Sequence, residues 1–228
     1  MSLTSRLLDG LSRLFGPTLA TDDDGLPGRI EGARVSAALV ALGAKMAKAD
    51  GQVRREDIVA FDDVFQFGDD DADSIARLFD LASQTTLGAD YYADRIARRF
   101  RARPSALEDV MDGLFHIALA DGVVTDDEAR YLRNVADRFG FSDTEYARIR
   151  ASHLGADMSD PYVVLGVDKD ATDAELRTAY RRLAAVNHPD RLAARGAPPH
   201  MQRVATRKMA MINSAYASLR RTRQGLAA

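Results

Sequence analysis

The tripeptide His188-Pro189-Asp190 constrains the fold of this chain more than any other feature, because it forces a bend between two helix-forming segments. Apolar residues recur at three- and four-residue steps over 172–187 and again over 208–221, which predicts two amphipathic helices. Proline disfavours helical geometry in the residue before it and fixes its own φ, so the first helix is predicted to end near His188. The sequence therefore predicts a helical hairpin with a stiff tip.

The first helix of the hairpin has a clear start signal and a basic outer face. Thr172 and Glu175 have the spacing of a capping box at the start of this helix. Residues 191–200, which follow the tip, are predicted to form a loop. Arg177, Arg181 and Arg182 are predicted to face solvent. The buried faces of the two helices are predicted to be formed by Leu176, Ala179, Tyr180 and Leu183, and by Met209, Ile212, Ala215, Tyr216 and Leu219.

The tip is predicted to bind a partner and not to catalyse a reaction. Asp190 projects a carboxylate whose natural counterpart is an arginine fork on another protein. Neighbouring loop residues such as His188 and Asp190 lack the enclosing pocket and positioned nucleophile of an enzyme. Of the other histidines, His116 is interpreted as a core residue, and His153 and His200 are predicted to lie in loops. The chain is therefore not expected to be an enzyme.

The chain before the hairpin is predicted to be entirely helical. Segments with helical periodicity and no convincing period-two strand give an all-α fold, in which a bundle spans residues 30–153. Residues 1–29 are predicted to form an N-terminal amphipathic helix and a linker, and a second break near 154–161 precedes the basic hairpin. The helices of the bundle are predicted at 31–49, 56–67, 72–83, 90–101, 105–120, 126–139 and 143–152.

The bundle contains an internal repeat with an offset of 71 residues. The segment AKADGQVRREDIVAF at 47–61 aligns with ALADGVVTDDEARYL at 118–132. In each copy a helix ends at Ala-Asp-Gly and a new one begins after a valine, so Gly51 and Gly122 are predicted to be left-handed helix ends. Thr125 and Glu128 predict a capping box in the second copy. Two similar helical hairpins are therefore expected to face each other.

Composition and charge narrow the class of protein. The 228 residues include no cysteine, which excludes disulfides and thiolate chemistry and fits a cytoplasmic location. No apolar run is long enough for a membrane span. The net charge of −3 conceals a basic excess of +6 from Ser159 onward. A basic module of this kind suits either an acidic protein surface or nucleic acid, although no recognition-helix or aromatic stacking pattern supports nucleic acid.

The segment from Val35 to Arg150 resembles the TerB-like helical domain of tellurite-resistance proteins. Members of that group have been linked to metal binding through acidic residues near their Asp-Gly turns. The resemblance therefore implies a metal-responsive acidic scaffold as an alternative function. Acidic residues at the start of a helix are also explained by the helix dipole alone. The matching positions are Asp50, Asp57, Asp121 and Glu128.

Residues 160–222 resemble a J-domain of the DnaJ family. The resemblance rests on Asp160-Pro161-Tyr162, Leu165-Gly166-Val167, the basic helix, His-Pro-Asp and INSAY in that order. It implies a co-chaperone without a cofactor that stimulates ATP hydrolysis by a DnaK-type chaperone. His188, Pro189 and Asp190 would be the trigger, and Arg177, Arg181 and Arg182 the docking face.

The order of the two domains is that of DjlA-like co-chaperones, which implies that the bundle recruits a client or regulator. Two features depart from the family pattern. Val186 and Asn187 stand where family members often carry a basic and an aromatic residue. The membrane anchor of such proteins is not expected here.

Overall fold

The structure, a computed structural model, describes residues 25–65, 72–84, 88–154, 160–194 and 199–226. Within these ranges it is all-α with no strand, which confirms the predicted fold class. The predicted N-terminal amphipathic helix lies outside the described residues. The helices are α1 (Gly25–Met46), α2 (Arg55–Phe65), α3 (Ala72–Ser83), α4 (Ala89–Arg99), α5 (Pro104–Ala118), α6 (Asp126–Phe139), α7 (Asp143–Leu154), α8 (Pro161–Leu165), α9 (Asp173–Asn187), α10 (Pro189–Ala194) and α11 (Pro199–Leu226).

The chain divides into two compact units between Gly140 and Phe141. In the first unit α1 is the central helix, and it packs against α3, α4 and α5. Apart from Lys45, its second half is apolar from Ala38 to Met46, and this stretch is buried. A helix that is apolar all round is stable only when other helices enclose it, so α1 organises the bundle.

The two copies of the sequence repeat form the two helix pairs α1–α2 and α5–α6, and α5 contacts both helices of the first pair. Gly113 on α5 allows this close approach, because a Cβ atom at that position would lie 3.0 Å from Cγ1 of Val64 on α2. The turns between the paired helices are equivalent. Gly51 and Gly122 adopt φ values of 89° and 93°, which confirms the predicted left-handed positions.

The second unit is built around the long helix α11, which packs against α7, α8, α9 and α10. Leu176 and Leu183 of α9 meet Ile212 and Leu219 of α11 in a buried cluster. The rings of Tyr180 and Tyr216 stack beside that cluster with centroids 4.3 Å apart. The predicted hairpin and its two apolar faces are therefore confirmed.

Three predictions about segment boundaries were wrong. Helix α1 begins at Gly25, so residues 25–29 are helical and not linker; Pro27 is tolerated because it lies in the first turn. Residues 191–200 are not one loop, since Pro189 begins α10 and Pro199 begins α11. The final helix therefore spans 28 residues and starts well before Lys208.

The interpretation of two histidines also needs correction. His153 lies in the last turn of α7 and is buried, although a loop position was predicted. His200 lies in the first turn of α11. His116 is half-buried on α5, as expected near a core, with Nε2 3.5 Å from a carboxylate oxygen of Asp63.

None of the described helices combines the length and the apolar character needed to cross a membrane.

Candidate functional site

The His-Pro-Asp turn joins α9 to α10 with a defined backbone geometry. Helix α9 ends at Asn187, and His188 is extended with φ −66° and ψ 125°. This conformation is the one that a following proline favours. Pro189 is the first residue of α10, where its missing N–H costs no hydrogen bond. The bend predicted from the tripeptide is therefore present.

His188 holds the start of α10 through both its backbone and its ring. Its carbonyl accepts a hydrogen bond from the N–H of Arg191 at 3.1 Å. Its Nδ1 accepts a hydrogen bond from the N–H of Asp190 at 3.3 Å. The imidazole therefore acts as the cap of the short helix, a role that serines and aspartates usually fill.

The carboxylate of Asp190 projects into solvent. Its side chain is 91% exposed, and its Oδ2 lies 3.7 Å from Nδ1 of His188, which is longer than a hydrogen bond. Both oxygens therefore remain accessible to a guanidinium from another molecule. This was the geometry expected from the sequence.

Two side chains donate to carbonyl oxygens near the end of α9. Asn187 is buried, and its Nδ2 donates to the carbonyl of Leu183 at 2.9 Å. Arg191 donates from a guanidinium nitrogen to the carbonyl of Ala185 at 3.3 Å. The carbonyl of Ala185 is one of the last four of α9 and has no partner within the helix, so Arg191 connects α10 to the end of α9. Sequence reasoning treated Asn187 only as a departure from the family pattern and missed this role.

The three arginines of α9 lie on the exposed side of the helix. Arg177, Arg181 and Arg182 are all solvent-exposed. Arg181 donates from Nε to the carbonyl of Arg177 at 3.3 Å. In the part of the chain that the structure describes, none of the three forms an ion pair with a carboxylate. Their charges are therefore free to act on a partner.

The orientation of this basic face is fixed at both ends of α9. At the start of the helix, the carboxylate of Glu175 accepts from the N–H of Thr172 at 2.6 Å, and Thr172 Oγ1 accepts from the N–H of Glu175 at 3.3 Å. The predicted capping box is therefore confirmed. Arg223 of α11 also reaches Asp173 at 2.8 Å, which ties the start of α9 to the other arm of the hairpin.

An open groove beside the turn was not anticipated from the sequence. Pro189, Asp190 and Ala193 form one side, and residues from the first three turns of α11 form the other, including Arg203 and Arg207. The groove arises because α11 begins at Pro199. A signal for this start was present, since Met201, Val204, Ala205 and Lys208 follow the helical step and are all buried.

The Asp-Gly turns of the first unit repeat the same hydrogen bonds. Asp50 Oδ1 accepts from the N–H of Gln52 at 2.9 Å, and Asp121 Oδ1 accepts from the N–H of Val123 at 3.1 Å. The N–H groups that precede the second helices are bound in the same way. That of Arg54 donates to Asp57 at 2.7 Å, and that of Thr125 donates to Glu128 at 2.8 Å.

The four acidic residues predicted as metal ligands are brought together, but their arrangement does not fit a metal ion. Each carboxylate already accepts a backbone hydrogen bond within its own turn. Asp50 and Asp121 also face the guanidinium of Arg54. Among the residues described, no group of three or more metal-binding side chains is placed to hold an ion. No metal-dependent step is therefore assigned to these turns.

Two family models match successive parts of the chain. Residues 36–151 match the family model of tellurite resistance protein TerB, and residues 160–224 match that of the DnaJ domain. Co-chaperone protein DjlA of Coxiella burnetii is 30% identical over 198 residues, which cover 78% of this chain and 73% of that protein. The chain belongs to the DjlA co-chaperone family.

Further DjlA proteins show the same extent of similarity. Those of Photobacterium profundum and Vibrio cholerae are 26% and 27% identical, and each alignment covers 77% of this chain and 73% of the relative. No solved structure matches the chain. As a member of the DjlA family, the chain combines a TerB domain and a DnaJ domain in that order.

Proposed function

We propose that this protein is a co-chaperone whose J-domain stimulates ATP hydrolysis by a DnaK-type chaperone. The observation that carries the proposal is the exposed carboxylate of Asp190 on a turn that His188 and Pro189 hold rigid. A rigid, accessible carboxylate can form a bidentate pair with an arginine, and such a pair depends strongly on geometry. Membership of the DjlA co-chaperone family supports the same function.

The basic face of α9 would guide the encounter with the chaperone. Arg177, Arg181 and Arg182 lie on the helix that leads directly into the turn. Exposed charges of this kind mainly raise the association rate and orient the partners. A contact made by one helix face and one turn is small, so the complex would be weak and transient.

The protein itself would not be the catalyst. The side chains of His188 and Asp190 are 53% and 91% exposed, so neither is enclosed in a site that excludes water. The hydrolysis that the proposal describes takes place on the partner. The TerB domain would act as a recruitment or regulatory module for a client.

Steady-state ATP turnover of a DnaK-type chaperone tests the proposal. The wild-type protein should raise turnover, and His188→Gln should abolish the increase, because glutamine cannot hold the start of α10 as the imidazole does. His200→Gln is a matched control outside the turn and should stimulate turnover as the wild type does. Equal stimulation by the wild type and His188→Gln would overturn the mechanism.

A further inference from the structure

The guanidinium of Arg54 lies between the two Asp-Gly turns of the first unit. A single nitrogen of this group is 2.9 Å from Oδ2 of Asp50 in its own turn and 3.6 Å from Oδ2 of Asp121 in the other turn. The Asp50 side chain is only 11% exposed, so its charge is poorly solvated and gains from a cation close by. Arg54 therefore links the two copies of the repeat.

The two copies of the repeat differ in the residue that precedes the second helix. Arg54 and Thr125 are equivalent in the repeat, and each precedes the second helix of its pair. The hydroxyl of Thr125 accepts a hydrogen bond from the N–H of Glu128 and completes a capping box. An arginine has no acceptor and cannot do this. The first copy thus lacks the side-chain cap and has a charge that reaches the second copy instead.

The carboxylates of Asp50 and Asp121 approach the same nitrogen of the Arg54 guanidinium from the two turns. Two like charges so close together would repel each other without a cation between them. The positive charge of Arg54 therefore offsets a repulsion between the two turns.

We propose that Arg54 is an internal cation that occupies the position between the two Asp-Gly turns, so that a guanidinium and not a divalent metal ion holds them together. The TerB domain of this chain would then keep its paired turns without any metal. The inference concerns the bundle alone and does not depend on the proposed action of the J-domain.

Hydrogen exchange of the full-length protein tests this assignment. The amides of the second turn are measured because they are far from Arg54 in the sequence, so a substitution at Arg54 can affect them only through space. Arg54→Gln should speed exchange of the amides of Gly122 and Val123 by roughly twofold to fivefold, the range expected for a partly exposed ion pair. Arg55→Gln removes an exposed charge from the next residue and should leave these amides unchanged. Unchanged exchange in Arg54→Gln would overturn the link between the turns.

A double variant shows whether the effect passes through Asp121. Asp121→Asn keeps the acceptor for the N–H of Val123 and removes only the charge. In the Asp121→Asn background, Arg54→Gln should speed amide exchange in the second turn by less than it does in the wild-type background. Effects that simply add would show that the two groups are not coupled, and the proposal would fail.

Calcium distinguishes an internal cation from a metal site. Millimolar calcium should not slow exchange in the turns of the wild-type protein, and slower exchange would overturn the proposal.

Discussion

At the residue scale, the capping box of α9 stabilises the hairpin from the end opposite the His-Pro-Asp turn. Thr172 and Glu175 exchange hydrogen bonds at the start of the helix. Helix α9 has 15 residues, so its two ends are about 22 Å apart at 1.5 Å per residue. Changes at Thr172 are therefore expected to affect stability and not docking.

Thr172→Ala should lower the free energy of unfolding of the hairpin by about 1 kcal/mol, because the N–H of Glu175 loses its acceptor. Amide exchange in α9 should then become about fivefold faster in the full-length protein. The conservative variant Thr172→Ser should retain the cap and most of the protection. Stimulation of ATP turnover should remain at the wild-type level in both variants below the unfolding temperature. Unchanged exchange in Thr172→Ala would contradict the role of the cap.

The same cap makes the stability of the hairpin depend on pH, and the direction follows from the pKa of Glu175. Hydrogen bonds from the backbone N–H and then the hydroxyl of Thr172 lower the pKa of Glu175 below its ordinary value of 4.5. An acid with a lowered folded-state pKa contributes stability that is fully present above pH 4.5 and is lost as the pH falls through the folded-state pKa.

Protection factors of the first amides in α9 should therefore decline in acid for the wild-type protein. In Glu175→Gln this part of the decline should be absent, because an amide does not titrate. Identical profiles for the two proteins would show that Glu175 does not contribute in this way.

At the element scale, the exposed arginines of α9 are expected to guide docking. Arg181→Glu and Arg182→Glu should each lower the association rate with a DnaK-type chaperone several-fold at low salt, with a smaller loss at high salt because ions screen exposed charges. Arg221→Glu places the same charge change on the exposed side of α11 and is the matched control. Association rates measured over a salt series test this, and an equal loss from the control would contradict a specific role for α9.

The elements that the sequence predicted correctly carry strong local signals. The capping boxes at Thr172 and Thr125 and the glycines at the repeat turns depend on contacts within a few residues, and all were confirmed. The start of α11 was missed because the Gly/Pro composition before Pro199 suggested a loop. Proline at the first position of a helix produces the same composition, and burial of Met201 and Val204 decides between the two.

Contacts between distant segments could not be predicted from local patterns. Arg54 and Thr125 occupy equivalent positions in the alignment of the repeat. The approach of Arg54 to Asp121 depends instead on how α1, α2 and α5 pack. The burial of His153 likewise could not be predicted from the sequence of α7 alone. Such contacts arise from tertiary packing, and the spacing of residues in one segment carries no information about them.

At the scale of the whole molecule, charge is divided between the two halves of the sequence. Residues 159–228 carry 12 basic and 6 acidic side chains, while the chain as a whole has a net charge of −3. The basic excess belongs to the unit that presents the His-Pro-Asp turn. The rest of the sequence therefore carries a net negative charge.

The most direct test of the central claim is ATP hydrolysis by a preloaded DnaK-type chaperone in a single turnover. Asp190→Asn keeps the size and position of the side chain and removes the charge that an arginine would bind. Asp170→Asn makes the same change at an exposed aspartate before the start of α9. The wild type and Asp170→Asn should accelerate hydrolysis, and Asp190→Asn should not. Acceleration by Asp190→Asn equal to that by the wild type would contradict it.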